Sequence, residues 1–217
     1  MAVSYSAVIF DLDGTLLDTL TDLANAANAA LTRFGFPTYA VGSYRQLIGE
    51  GVDLLFMRAL PADARRPEWV RQMVAAFQEA YASHWNVHTK PYPQIPQLLD
   101  TLRGKQVRMA VLSNKPDLSA KRCVAEFLPD KGLEIVLGQR DGVPPKPDPA
   151  GARAIVHALH VPASACLYLG DSGVDMQVAH HTGMIAVGAL WGYRTREELE
   201  QHGASALIEQ PLDLLEL

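Results

Sequence analysis

Five short apolar runs that alternate with helical stretches constrain the fold of this chain of 217 residues more than any other feature. The runs cover residues 3–10, 107–112, 134–137, 166–169 and 184–190. Each is too short for a stable helix and too continuously apolar to have one face in water, as is typical of strands buried in a parallel sheet. Helical patterns alternate with them at 94–102, 117–128, 149–159 and 174–181. This alternation predicts an α/β protein with a doubly wound, mostly parallel sheet.

The segment after the first run breaks the alternation, because no strand pattern appears between about residues 20 and 85. Helical patterns occur there instead, at 22–34, 43–60 and 68–85. We therefore predict a small all-helical domain over residues 19–87, inserted after the first strand of an α/β core formed by 1–18 and 88–217. The alternative is that these helices simply pack on the main core.

Composition and charge narrow the class of protein. Acidic residues number 24 against 19 basic ones, for a formal charge of −5, which argues against a dedicated nucleic-acid or anionic-membrane surface. Two cysteines cannot build a disulfide framework, so a reducing compartment is expected. The first residues lack the basic and apolar regions of a signal peptide. We expect a cytoplasmic protein with no nucleic-acid or membrane partner, and the sequence does not indicate its oligomeric state.

Carboxylates follow two of the apolar runs at the point where each run ends. Asp11 and Asp13 come after the first run, and Asp171 and Asp175 after the run at 166–169. Open α/β sheets bind ligands beyond the carboxyl ends of their strands, so these acids are expected to meet at one edge. Oxygen ligands without cysteine or histidine favour Mg²⁺. The alternatives are an Asp-Gly turn for the first pair and a helix cap for Asp171.

Two further segments offer groups that suit a phosphate. Ser113 and Asn114 follow the run at 107–112 and precede a helical pattern, where donor-rich turns favour bound anions. Lys146 lies between prolines in the segment GVPPKPDP, which restricts the backbone around its ammonium. A rigidly placed cation there could offset phosphoryl charge and the nearby acids. Each segment taken alone is equally compatible with an ordinary turn or a solvated lysine.

These segments together resemble a known family. DLDGTL, LSN, KPDP and GDSGVDM match, in order, the four motifs of the haloacid dehalogenase-like (HAD) phosphatase superfamily over nearly the whole chain, and the helical insertion resembles its cap domain. The segments VGALWGYRTREELEQHGA and LSNKP look most like phosphoglycolate phosphatases, although related sugar-phosphate phosphatases share much of them. The resemblance implies a Mg²⁺-dependent hydrolase of a small phosphate ester, most closely 2-phosphoglycolate, which it converts to glycolate and phosphate.

The resemblance also implies roles at the reaction centre. Asp11 matches the nucleophile that forms an aspartyl-phosphate. Asp13 matches the general acid that protonates the leaving alkoxide and later the base that activates water. Mg²⁺ would be held by the carboxylates of Asp11 and Asp171 and by the backbone carbonyl of Asp13. Because dehalogenases of the superfamily lack this second aspartate, halide displacement is disfavoured, and Thr15 disfavours mutase activity because mutases often carry valine there.

The remaining roles concern the phosphoryl group and the rest of the substrate. By resemblance, Ser113 and Asn114 bind phosphoryl oxygens, Lys146 shields the nucleophile and the phosphate from mutual repulsion, and Asp175 orients water or Lys146. Glycolate carries a carboxylate, for which Arg45 and Arg194 are the candidate cations, although either is equally well explained as a solvated arginine.

Two alternatives to phosphoglycolate hydrolysis follow from the same sequence. One is another phosphatase of the superfamily that acts on a sugar phosphate or on pyrophosphate. The other is a non-catalytic binding protein on the same fold, against which the intact acid pair and the motif lysine argue.

Overall fold

A computed structural model describes residues 5–217, and its main feature is a six-stranded sheet in which every adjacent pair of strands is parallel. The strands, in chain order, are β1 Ala7–Phe10, β2 Leu17–Asp18, β3 Lys90–Pro91, β4 Arg108–Pro116, β5 Leu133–Gln139, β6 Cys166–Gly170, β7 Ile185–Ala189 and β8 Ala206–Ile208. The large sheet has the order β5-β4-β1-β6-β7-β8, and β2 and β3 form a separate two-stranded sheet. The predicted mostly parallel α/β fold is confirmed, and positions 3 and 4 of the first predicted run lie outside the described residues.

Helices cover both faces of the large sheet. In chain order they are α1 Leu20–Arg33, α2 Val52–Ala59, α3 Pro67–His84, α4 Ile95–Gly104, α5 Asp117–Phe127, α6 Ala150–Leu159, α7 Gly173–Thr182 and α8 Arg196–Gln201. Val8 and Ile9 point to opposite faces of β1, and both are fully buried. On the side of Ile9, the core includes Ile155 of α6 and Met176 of α7. Burial on both faces explains why the strands read as continuous apolar runs. Within residues 5–217, no helix is both long enough and apolar enough to cross a membrane.

The chain divides into two compact units. The first comprises the chain up to Leu17 together with Pro91–Leu217 and contains the six-stranded sheet, and the second is Asp18–Lys90 and contains α1, α2 and α3. In the second unit, the buried carboxylate of Asp22 accepts hydrogen bonds from the backbone N–H of His88 at 2.9 Å and of Thr89 at 2.8 Å. These bonds join the first helix of the unit to its last residues.

Trp69, Phe77 and Tyr81 form an aromatic stripe along α3 that packs inside this second unit. Phe77 contacts Phe56 of α2 edge-on at 6.0 Å between ring centroids and stacks on Tyr81 at 5.4 Å. Trp69 makes an edge-on contact with Phe36 at 5.0 Å. The stripe therefore forms the apolar core of the helical unit.

The structure corrects one sequence-based prediction and contains a strand of the large sheet that was not predicted. Residues 43–60 do not form one helix, because a 3₁₀-helix over Val41–Gln46 is separated from α2 by Gly49 and Gly51, whose φ angles are 115° and 95°. Such angles interrupt a right-handed helix. The sequence also gave no indication of β8, which is three residues long and too short to produce a recognisable apolar pattern.

Replacement of Ile9 tests the central position of β1. Ile9→Ala removes a fully buried side chain between the sheet and its helices, so we expect the free energy of unfolding to fall by about 2–5 kcal/mol. Leu118→Ala is the matched control, because that leucine is 82% exposed, and its effect should stay within about 0.5 kcal/mol. Urea denaturation measures both. Equal effects of the two variants would contradict this packing.

Candidate active site

Three buried carboxylates meet at the carboxyl end of the large sheet. Asp11 follows β1 directly and Asp171 follows β6 directly, and these strands are neighbours, with the Asp11 N–H donating to the carbonyl of Leu169 at 2.9 Å. One carboxylate oxygen from each of Asp11, Asp171 and Asp175 lies within 4.8 Å of the others. We call these three residues the carboxylate cluster. The expectation that acids after separate strands converge is therefore met for these three.

Lys146 neutralises part of the carboxylate cluster. Its Nζ lies 2.8 Å from Oδ1 of Asp11 and 2.7 Å from Oδ1 of Asp175, and its side chain is only 3% exposed. Asn114 fixes the backbone of this lysine, because its Oδ1 accepts from Lys146 N–H at 2.8 Å and its Nδ2 donates to the Lys146 carbonyl at 3.2 Å. The ring of Tyr168, which is fully buried, lies 5.9 Å from the ammonium. The lysine is thus held at both its backbone and its charged end.

Asp175 is held by the start of its own helix. Ser172 precedes α7 and donates to Oδ2 of Asp175 from its backbone N–H at 3.1 Å and from its hydroxyl at 2.6 Å. The other carboxylate oxygen faces Lys146. The helix-cap role that the sequence left open for Asp171 therefore belongs to Ser172 and Asp175.

Asp171 is oriented by hydrogen bonds to both of its oxygens. The hydroxyl of Thr15 donates to Oδ1 at 3.0 Å, and the backbone N–H of Tyr193 donates to Oδ2 at 2.7 Å. The indole of Trp191 in turn donates to the carbonyl of Thr15 at 3.0 Å. Sequence analysis did not assign these contacts to the site, although Thr15 belongs to the DLDGTL motif and both Trp191 and Tyr193 lie in the segment matched to phosphoglycolate phosphatases.

Two glycines allow the backbone to approach Asp171. A Cβ added to Gly14 would lie 2.4 Å from Oδ2 of Asp171, and one added to Gly192 would lie 2.2 Å from its Cβ. Gly14 also has a φ of 90°, a conformation that side chains disfavour. Any larger residue at either position would displace the Asp171 carboxylate.

Burial and mutual repulsion raise the pKa values of two carboxylates of the cluster, Asp11 and Asp171. Burial raises the pKa of Asp11 well above its ordinary value, and the charges of Asp175 and Asp171 add to this, while Lys146 opposes it. Burial and the charge of Asp175 raise the pKa of Asp171 to about 7. Although burial lowers the pKa of Lys146, the charges of Asp11 and Asp175 raise it well above its ordinary value. One ammonium therefore does not balance three carboxylates.

The cluster fits a hard divalent cation. Its donors are all buried carboxylate oxygens that lie close together, and burial, together with the neighbouring carboxylate charges, raises the pKa values of Asp11 and Asp171. Mg²⁺ prefers oxygen ligands of this kind. All three carboxylates also have partners within the protein: Asp11 and Asp175 contact Lys146, and Asp171 accepts hydrogen bonds from Thr15 and Tyr193.

Asp13 and the residues after Leu112 form a second part of the site. The carboxylate of Asp13 is 18% exposed and contacts Nζ of Lys115, whose side chain is 4% exposed, at 3.0 Å. Pairing of β4 with β5 is regular from Ala110 to Leu112 and shifts before Pro116, so Lys115 lies in an irregular end of the strand. The hydroxyl of Ser113 accepts from the Lys115 N–H at 3.2 Å within the same turn. In the sequence, Lys115 stands out only as part of the segment LSNKP.

The two arginines considered for substrate binding differ in environment. Arg45 is exposed on the 3₁₀-helix Val41–Gln46 of the helical unit. Arg194 belongs to the sheet unit, where its side chain is 11% exposed and its Nε lies 3.4 Å from Oε1 of Glu198. Glu198 also accepts from the N–H of Gly173 at the start of α7. Arg194 directly follows Tyr193, whose backbone N–H donates to Asp171.

Comparison with known proteins places this site in a family. The family model of the haloacid dehalogenase-like hydrolases matches residues 8–189. The phosphoglycolate phosphatase of Neisseria gonorrhoeae is 34% identical over 206 residues, which cover 90% of this chain and 84% of that protein. The phosphoglycolate phosphatase of Aquifex aeolicus is 31% identical over 211 residues, covering 97% and 95%.

The fold comparison agrees with the sequence comparison. A crystal structure of a candidate phosphoglycolate phosphatase from Lactobacillus delbrueckii subsp. bulgaricus superimposes with a TM-score of 0.93 at 32% identity, and the match covers 98% of each chain. The range matched by the family model includes all three residues of the carboxylate cluster. The chain belongs to the haloacid dehalogenase-like hydrolases.

Proposed function

We propose that this protein is a Mg²⁺-dependent phosphomonoester hydrolase that converts 2-phosphoglycolate to glycolate and phosphate through an aspartyl-phosphate intermediate. The observation that carries the proposal is the buried carboxylate cluster, in which Asp11 is paired with Lys146 at 2.8 Å directly after a central strand. Two relatives named as phosphoglycolate phosphatases, each matching more than four fifths of both chains, support the choice of substrate.

The proposed reaction has two displacements at phosphorus. A carboxylate oxygen of Asp11 attacks phosphorus, and the bond from phosphorus to the glycolate oxygen breaks as Asp13 donates a proton to the leaving alkoxide. Water then attacks the phosphorus of the aspartyl-phosphate, Asp13 takes a proton from that water, and the Asp11 carboxylate is released with phosphate. Covalent catalysis replaces one difficult displacement by two easier ones, and the general acid and base contribute about 10²–10⁴ in rate.

Most of the remaining acceleration is assigned to charge stabilisation and positioning. Lys146 offsets the repulsion between the Asp11 carboxylate and the incoming phosphoryl group. Asp175 holds the ammonium of Lys146, and Asn114 holds its backbone through two hydrogen bonds. We propose that Ser113 and Asn114 bind the phosphoryl oxygens, and that the amide of Asn114 also positions Lys146.

The carboxylates of Asp11 and Asp171 and the backbone carbonyl of Asp13 would hold Mg²⁺, which supplies positive charge to the phosphoryl oxygens during transfer. Thr15 and Tyr193 fix the orientation of Asp171 for this purpose. We further propose that the helical unit acts as the cap that excludes water and contacts the rest of the substrate. The cytoplasmic location expected from the sequence stays a prediction.

Replacement of the proposed nucleophile is the first test. Asp11→Asn removes the attacking carboxylate but preserves side-chain size, so kcat for 2-phosphoglycolate should fall at least about a thousandfold while circular dichroism stays that of the folded protein. Asp130→Asn is the matched control, because Asp130 is exposed and asparagine tolerates its φ of 57°. Full activity of the Asp11 variant would refute the assignment.

A substrate panel in the wild type identifies the ester. We expect the highest kcat/KM for 2-phosphoglycolate among a panel that also contains a sugar phosphate, pyrophosphate and an alkyl phosphate. A sugar phosphate or pyrophosphate as the best substrate would replace the proposed specificity but retain the chemistry. Phosphate release from none of them would favour the non-catalytic binding protein.

Metal removal gives a test that does not depend on turnover. Saturating Mg²⁺ should raise Tm by about 5–10 °C in the wild type and in Asp130→Asn, and should have little effect in Asp171→Asn.

The pH dependence of stability tests the same site. Without metal, the pKa of Asp171 is raised to about 7 in the folded protein, so its carboxyl holds a proton that the unfolded chain loses near pH 4. The stability of the protein in chelator should therefore fall as pH rises toward 7. Mg²⁺ competes with that proton, so the Tm increase should grow between pH 5 and 8. A pH-independent increase would contradict the site.

A further inference from the structure

Lys115 is a buried cation beside Asp13, and the proposed reaction assigns it no role. Its Nζ contacts both carboxylate oxygens of Asp13, at 3.0 and 3.1 Å, and its side chain is 4% exposed. Burial of an ammonium costs several kcal/mol unless it is paired, and Asp13 supplies a carboxylate partner here. Lys115 lies on β4, which pairs with β1, the strand that leads into Asp11.

The contact with Asp13 limits where the ammonium lies relative to a substrate. A general acid approaches the oxygen that it protonates to about 2.6–3.2 Å. Nζ of Lys115 is hydrogen-bonded to both oxygens of Asp13. Whichever of these oxygens carries the proton to the leaving oxygen, the ammonium therefore lies within about 6 Å of the leaving oxygen. A short substituent on the leaving group ends closer than this, and a hydrogen bond of ordinary length can span the remaining gap to the ammonium.

In 2-phosphoglycolate, this substituent is a carboxylate. The leaving oxygen and the carboxylate carbon are bonded to the same methylene carbon, so the carboxylate is held next to the atom that Asp13 protonates. An ammonium has three N–H donors, and its charge can be shared between Asp13 and a second carboxylate. Lys146 cannot serve in the same way, because it already lies between Asp11 and Asp175.

We propose that Lys115 is a specificity-determining residue that binds the carboxylate of the substrate next to the leaving oxygen. The inference rests on the proposed function, since it takes Asp13 as the general acid and a phosphorylated 2-hydroxy acid as the substrate. It assigns the carboxylate to a lysine of the sheet unit rather than to Arg45 or Arg194. Phosphate esters without a carboxylate at this position do not engage Lys115.

The experiment compares 2-phosphoglycolate with ethyl phosphate, which has the same phosphoryl group and a primary alkoxide but no carboxylate. The measured quantity is the kcat/KM for 2-phosphoglycolate divided by that for ethyl phosphate. We expect a ratio of at least about a hundred in the wild type and a fall of at least about tenfold in Lys115→Met. Misplacement of Asp13 slows both substrates alike, so the ratio reports contact with the carboxylate.

Two further variants make the comparison specific. Lys115→Arg retains the charge and should retain most of the ratio, even where its kcat differs. Lys121→Met is the matched control, because Lys121 lies on α5, is 53% exposed and pairs with Asp117, and its ratio should equal that of the wild type. Should Lys115→Met not fold, Lys115→Gln replaces it with the same expected fall.

The outcomes separate this inference from the proposed function. If the wild type hydrolyses neither ester, the proposed function fails. If it hydrolyses both and Lys115→Met lowers the two kcat/KM values equally, the proposed function stands and Lys115 acts only through Asp13, which overturns the inference. A wild-type ratio near one overturns it as well. A selective loss of 2-phosphoglycolate hydrolysis supports it.

Discussion

The repulsion among three buried carboxylates around one ammonium is the constraint on which the rest of the site depends. Unpaired buried charge costs several kcal/mol, and Lys146 compensates only part of it. The surrounding structure therefore holds each charged group at more than one atom: Asn114 holds the backbone of the lysine, Ser172 holds Asp175, and both oxygens of Asp171 accept hydrogen bonds. This fixed geometry preserves the excess negative charge that a divalent cation would balance.

The order of strands explains how distant sequence segments build this geometry. β1 pairs with β4 on one side and with β6 on the other, so the residues after these strands meet at one edge, although Asp13 and Lys115 are 102 positions apart and Thr15 and Asp171 are 156. The glycines at 14 and 192 then allow the backbone to approach Asp171 to distances at which any Cβ would collide with it. Glycine is therefore required at these two positions because no side chain fits beside Asp171, and at Gly14 also because of its backbone conformation.

Sequence patterns predicted those parts of the structure that depend on local or strand-end information. Continuous apolar runs indicated buried parallel strands, and acids at the ends of two runs indicated the cluster, because both signals are properties of single segments. The contact between Lys115 and Asp13, 102 positions apart, has no such signal, because it depends on how the irregular end of β4 lies beside the first loop. The interruption of the predicted helix at 43–60 was visible as Gly49 and Gly51, but glycine alone does not specify the angles that it adopts.

The two buried lysines of the site have different partners: Lys146 contacts the carboxylate cluster, and Lys115 contacts Asp13. In their proposed roles, the first acts in phosphoryl transfer and the second in substrate selection. Lys146 lies between two members of the carboxylate cluster, and with all three carboxylates ionised the single ammonium leaves two negative charges, which one divalent cation would balance. Asp13 and Lys115 form a pair that is neutral by itself, so it adds nothing to that balance. A substrate whose only charged group is the phosphoryl group needs only Lys146 and the divalent cation. A substrate with an additional carboxylate next to its leaving oxygen needs a further cation there, and the proposed carboxylate contact of Lys115 meets that need without disturbing the charges that act on phosphorus.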